Sequence, residues 1–139
     1  DFLIPMTRVV VPVRYPLSKH SRATLESAID IATERDAALT VLHVDLYQNG
    51  KRVSRADLKR ATEREFGTVP HARYVVRRGF LVEETILDEV AAEGADVVVI
   101  GSKQVGRWHR MLRKVVDEPD IDDYLRRNLD CEVLTVEAQ

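Results

Sequence analysis

Three short runs of valine, isoleucine and leucine most constrain the fold: RVVVPV at residues 8–13, LTVLHV at 39–44 and DVVVI at 96–100. Apolar side chains at consecutive positions need cover on both sides, which describes strands buried in a sheet with helices on either face. Two weaker runs, RYVV at 73–76 and EVLTV at 132–136, extend the count to five. Between the runs lie amphipathic stretches at residues 18–35, 54–66, 82–93 and near 121–128. In the first, Leu25, Ala28, Ile29 and Ala32 fall on one face; in the third, Val82, Ile86 and Val90 do so. The carboxylates of the third, Glu83, Glu84, Asp88 and Glu89, are expected to face water. Ser54 is placed to cap the second helix.

Strand and helix alternate throughout, and parallel strands need a right-handed helical crossover. The expected fold is therefore α/β: a doubly wound, five-stranded parallel sheet in the order 3-2-1-4-5, with helices on both faces. At 139 residues the chain suits one domain, assigned to residues 7–137. Residues 1–6 read as an N-terminal extension or a remnant of a cloning vector. Ligands of doubly wound sheets sit outside the carboxyl ends of the strands, where the strand order reverses. That rule places a crevice beside Val13-Arg14 and Gly101-Ser102.

Composition and motifs remove several classes of function. With 21 basic and 23 acidic residues the net charge is −2, so no global field draws the chain to nucleic acid or an anionic membrane. A lone cysteine, Cys131, forms no internal disulfide and no cysteine-based zinc site, and it favours a cytoplasmic location. No apolar stretch is long enough to span a bilayer. His20, His43, His71 and His109 show no metal-ligand spacing. The P-loop, dinucleotide and nucleophile-elbow motifs are all missing. Asp45 alone does not supply the acidic cluster of a phosphorylated receiver domain, and His43 reads as a satisfied strand residue.

Order and spacing together carry a resemblance. VVVPV as first strand, LHV closing the second, RRGFLVEETILDEVAAEGADVVVIGS through the third helix and fourth strand, and CEVLTV as the last strand resemble the universal stress protein family. The resemblance implies a small domain acting in stress adaptation, commonly a homodimer paired through its last strand. Some members bind ATP. Those carry Gly-x-x-Gly after the fourth strand, then about nine residues and a Gly-Ser or Gly-Thr opening the last helix. They also tend to have an Asp just after the first strand.

This sequence keeps only part of that pattern. Gly101 and Ser102 match the start of the loop, but Gln104 stands at the second glycine and Gly106 comes two places late. The later Gly-Ser position falls on Pro119-Asp120, where proline lacks an N–H and the carboxylate opposes an anion. Arg14 replaces the acidic residue after the first strand. Conventional ATP binding is therefore not expected and no cofactor is assigned. ATP in a rearranged phosphate loop is the alternative. The candidate ligand-contacting set is Val13, Arg14, Val41, Gly101, Ser102, Lys103 and Gly106. Arg77-Arg78 could add positive charge at the crevice, although surface solvation explains them more simply.

After the glycine loop, residues 103–114 carry Lys103, Arg107, His109, Arg110, Arg113 and Lys114 without a carboxylate. Trp108, Met111, Leu112 and Val115 recur there at helical spacing. Two readings stand: the apolar stripe packs on the domain or a dimer partner, or residues 107–116 dock an acidic partner or anionic ligand. The function expected is binding or interaction rather than catalysis, in a homodimer through the C-terminal strand.

Overall fold

Along a buried strand, neighbouring side chains alternate between the two faces of the sheet, so an all-apolar strand must serve two cores at once. The computed structural model, which describes residues 6–50, 52–115 and 130–137, is built this way. Its described elements run β1 (Arg8–Pro12), α1 (Lys19–Glu34), β2 (Ala38–Leu46), α2 (Arg55–Phe66), β3 (Ala72–Gly79), α3 (Val82–Glu93), β4 (Val97–Gly101), α4 (Ser102–Val115) and β5 (Glu132–Val136). The strands form one parallel sheet in the expected order, β3-β2-β1-β4-β5.

Val9, Val11, Val97 and Val99 join Leu25 and Ala28 of α1 and Leu58 of α2 in one core. Val10, Val98 and Ile100 join Ile86 and Val90 of α3 and Trp108 of α4 in the other. Helices α1 and α2 therefore cover one face, and α3 and α4 the other. Burying one such aliphatic side chain is worth about 1.5–3 kcal/mol, so two shared cores give β1 and β4 the strongest reason to pair centrally.

Local signals fix the helix ends. Ser54 Oγ accepts from the Asp57 N–H while Asp57 accepts from the Ser54 N–H, a reciprocal cap that starts α2. Gly94, at φ +59°, ends α3 in the left-handed region where a side chain is strained.

Three expectations change. The third helix does not leave all its carboxylates to water, because Glu89 is buried with Arg77 Nε donating to its Oε1 at 2.7 Å. No glycine loop follows β4: the strand ends at Gly101 and α4 starts at Ser102, so Gly106 is a helical residue. Of the two readings of residues 107–116, docking loses Trp108 as an exposed anchor, because it is fully buried, as packing on the domain requires. Its large apolar area is better satisfied against Ile86 and Val98 than in water. The expected last helix and Pro119-Asp120 lie outside the described residues.

Candidate functional site

The carboxyl ends of β1, β2 and β4 open into a cleft of about 870 Å³, where the sheet order reverses between β1 and β4. Its walls come from elements far apart in sequence. After β1 the chain leaves the sheet through Val13 and Arg14, and the start of α1 adds Ser18 and Ser21. Ser18 Oγ accepts from the Ser21 N–H at 3.1 Å, capping α1, and Ser21 Oγ accepts from the Arg14 N–H at 2.9 Å. Two hydroxyls thus hold the turn that carries Arg14 to the cleft rim, where its side chain is exposed.

From β2 come His43 and Asp45. His43 Nδ1 lies 3.1 Å from the Val13 carbonyl oxygen, so it carries the proton and Nε2 remains available to a ligand. Asp45 is buried and its Oδ2 accepts from the Val53 N–H at 3.2 Å. That bond ties the chain after the Asn49-Gly50 turn to the strand end, beside Arg52. Asp45 therefore acts first on the shape of the cleft.

From the start of α4 come Lys103, Gln104 and Arg107. Arg107 donates to Gln104 Oε1 at 3.4 Å, and Gln104 Nε2 is buried with no hydrogen-bond partner among the described residues. Among the described residues, four permanent cations, Arg14, Arg52, Lys103 and Arg107, line the cleft against the carboxylates Asp45 and Glu83. The starts of α1 and α4 add the partial positive charge of helix N-termini.

Of the seven residues expected at the site, Val13, Arg14, Gly101 and Lys103 line the cleft. Val41 does not: it is fully buried in mid-β2, in the core beneath α1 and α2. Ser102 and Gly106 also fall outside the lining, because a helix starting at Ser102 turns them away from the face presented by Lys103, Gln104 and Arg107. Arg77 and Arg78 are likewise absent from the cleft. Arg77 serves Glu89, and Arg78 stacks over the Tyr47 ring at 4.7 Å. Arg52, Gln104 and His43 line the cleft without having been placed there from the sequence, and Arg107, read there only as part of the 107–116 docking segment, lines it as well. A helical reading of residues 102–115 would have grouped 103, 104 and 107 on one face.

Comparison with known proteins adds the wider setting. Residues 6–137 match the model of the Universal stress protein family. A universal stress protein solved in complex with cAMP is similar at 20% identity and a TM-score of 0.64, over 98% of this chain and 100% of its own. The universal stress protein UspA from Lactobacillus plantarum is similar at 20% identity and a TM-score of 0.58, over 96% of this chain and 99% of its own. A universal stress protein from Archaeoglobus fulgidus in complex with dAMP shows 21% identity and a TM-score of 0.52, over 96% of this chain and 98% of its own. At these identities the likeness speaks for the fold. No curated protein matches the chain.

Proposed function

The chain belongs to the universal stress protein family, and from that premise we propose that it is a binding domain taking a nucleoside monophosphate in the strand-end cleft. The observation that carries this reading is the convergence of Arg14, Arg52, Lys103 and Arg107 on a crevice open at the β1/β4 switch. Guanidinium and ammonium groups suit a phosphate. Relatives solved with cAMP and dAMP support a ligand with one phosphate group. Nothing in this mode needs the glycine cradle, since α4 begins directly at Ser102 and its side chains make the contacts.

Native mass spectrometry and calorimetry with cAMP, dAMP and magnesium-ATP test the reading. One monophosphate per subunit is expected, with roughly tenfold weaker binding in Arg14→Ala or Lys103→Ala, the loss of one charge-assisted hydrogen bond. Tight binding of magnesium-ATP in preference to both monophosphates would restore the rearranged-loop alternative. Binding of none of the three would remove the nucleotide reading.

The same proposal includes a homodimer through β5. That strand pairs with β4 on one side, and Val133, Leu134 and Val136 are only partly buried in a single chain. An apolar strand edge is covered most simply by its own copy across a two-fold axis. Light scattering at micromolar concentration decides it, a monomer counting against the dimer.

A further inference from the structure

At the opposite side of the sheet, β3 pairs with β2 through eight consecutive residues, Ala72 to Gly79, and no described strand pairs with its other side. The carbonyls of His71 and Gly79 accept from Leu39 and Tyr47, so the odd-numbered residues of the strand turn their backbone groups toward β2. By strand alternation, Ala72, Tyr74, Val76 and Arg78 present theirs outward. A groove of about 630 Å³ runs along this edge, between β3 and the first turns of α2. Arg55 and Lys59 line it from α2, and Arg73 and Arg77 from β3; no carboxylate is among the lining residues.

Charges on an edge strand commonly serve to block unwanted pairing. Among the described residues the other blocking devices are missing. The register is unbroken, no proline interrupts the strand, and the two β3 arginines are drawn onto the sheet face by α3. Arg73 pairs with Glu93 at 2.9 Å and Arg77 with Glu89 at 2.7 Å. They border the edge without covering its backbone. Arg55 and Lys59, both exposed one helical turn apart, have no ion-pair partner among the described residues.

We infer that the β3 edge is a docking site for an extended acidic peptide, added as a sixth strand of the sheet. Its backbone would bond Ala72, Tyr74 and Val76. Its side chains would alternate between Arg55 and Lys59 on the α2 side and Arg73 and Arg77 on the α3 side. Charge selects against a second copy of this chain, since two β3 edges would bring like charges together.

The test uses the full chain and a fluorescein-labelled, acetylated peptide alternating Glu and Val, followed by fluorescence anisotropy. A second peptide of the same sequence carries N-methyl groups on alternate amides, which keeps the charge and removes strand pairing. Saturable binding of the first peptide is expected, with at least a roughly tenfold loss for the N-methylated one and a similar loss in Arg55→Glu/Lys59→Glu. Hydrogen exchange at Tyr74 and Val76 should slow when the first peptide is added. Equal binding of both peptides would show simple charge attraction and overturn the inference. So would no binding at all, an unchanged affinity in the double variant, or a β3-to-β3 dimer. Because the two peptides are compared on the unaltered protein, a folding defect in the variant does not rescue or sink the idea.

Discussion

The two edges of the sheet solve one problem, an unpaired row of backbone groups, with opposite materials. β3 is eight residues long, lies under helices on both faces through Tyr74 and Val75, and is bordered by cations. β5 is five residues long, has no fully buried residue and carries an apolar set, Val133, Leu134 and Val136. The contrast teaches that an edge's flanking chemistry, more than its hydrogen-bonding row, decides its partner. On the two proposals made above, a cationic border would admit an acidic strand and repel a copy of itself, whereas a partly bare apolar edge would be covered by its like.

The largest expected difference lies in packing. Leu58 of α2 is fully buried against the β3 side of the sheet, and Leu58→Ala should lower unfolding stability by about 2–5 kcal/mol. Leu134 on β5 is only partly buried, so Leu134→Ala should cost about 1 kcal/mol or less in dilute protein, and more as concentration rises if β5 is a dimer edge. Denaturant midpoints over a concentration series measure both. Equal losses at the two sites, independent of concentration, would erase the asymmetry.

A smaller effect is expected where β3 turns into α3. A Cβ on Gly79 would overlap the Thr85 hydroxyl and stand 3.2 Å from the Thr85 Cβ, and that hydroxyl already donates to the Leu81 carbonyl. Gly79→Ala should cost about 1–3 kcal/mol by overpacking, with much of the loss recovered in Gly79→Ala/Thr85→Ala. A double variant no more stable than the single one would place the cause elsewhere.

The ion pairs beneath β3 have a pH signature. Burial, then the hydrogen bond with Glu93, raise the Glu89 pKa against the pull of Arg77. Burial opposes ionisation of Glu93 too, but hydrogen bonds with Glu89, Thr40 and Arg73 outweigh it and lower its pKa. The pair therefore keeps its proton on Glu89. Above the ordinary glutamate range and up to the raised Glu89 value, the folded state binds more protons than the unfolded, so stability falls as pH rises. Glu93 contributes stability above the ordinary range that is lost as pH falls through its lowered value. Urea midpoints of Glu89→Gln should lack the falling limb above that range while keeping the acid limb below it. A variant whose profile still falls there would deny Glu89 that role.

Much of this contrast was readable in the sequence, and its limits have physical causes. Continuous valine runs announce strands covered on both faces, and RVVVPV and DVVVI became the central strands. The cleft's place followed from strand order, which brought Val13, Arg14, Gly101 and Lys103 into view. Val41 misled because periodicity gives a strand's existence without saying how far along it the cleft begins. Helix α4 misled in another way: Gly101 and Gly106 suggest a loop, yet Gly106 sits in the helix with ample room for a Cβ. Glu89 looked like one carboxylate among several on a wet face, since its partner Arg77 lies on strand β3, twelve residues away. Long-range pairing of that kind leaves no mark on local pattern.

The smallest expected effect is at β5. Arg35 Nη1 and Glu132 Oε1 lie 3.0 Å apart, with the two side chains 42% and 36% exposed. The hydrogen bond to Glu132 and its charge raise the Arg35 pKa, but a guanidinium is already protonated throughout the accessible range, so Arg35 itself adds no pH dependence. Exposed pairs are screened by salt and offset by the entropy of holding two long side chains together. Arg35→Ala should therefore leave the thermal midpoint unchanged within error at physiological salt, while Arg77→Ala, which leaves the buried Glu89 carboxyl without its hydrogen-bond donor, lowers it clearly. A loss in Arg35→Ala to match that of Arg77→Ala would mean that β5 is held by charge after all. Its apolar residues would then no longer argue for the proposed dimer.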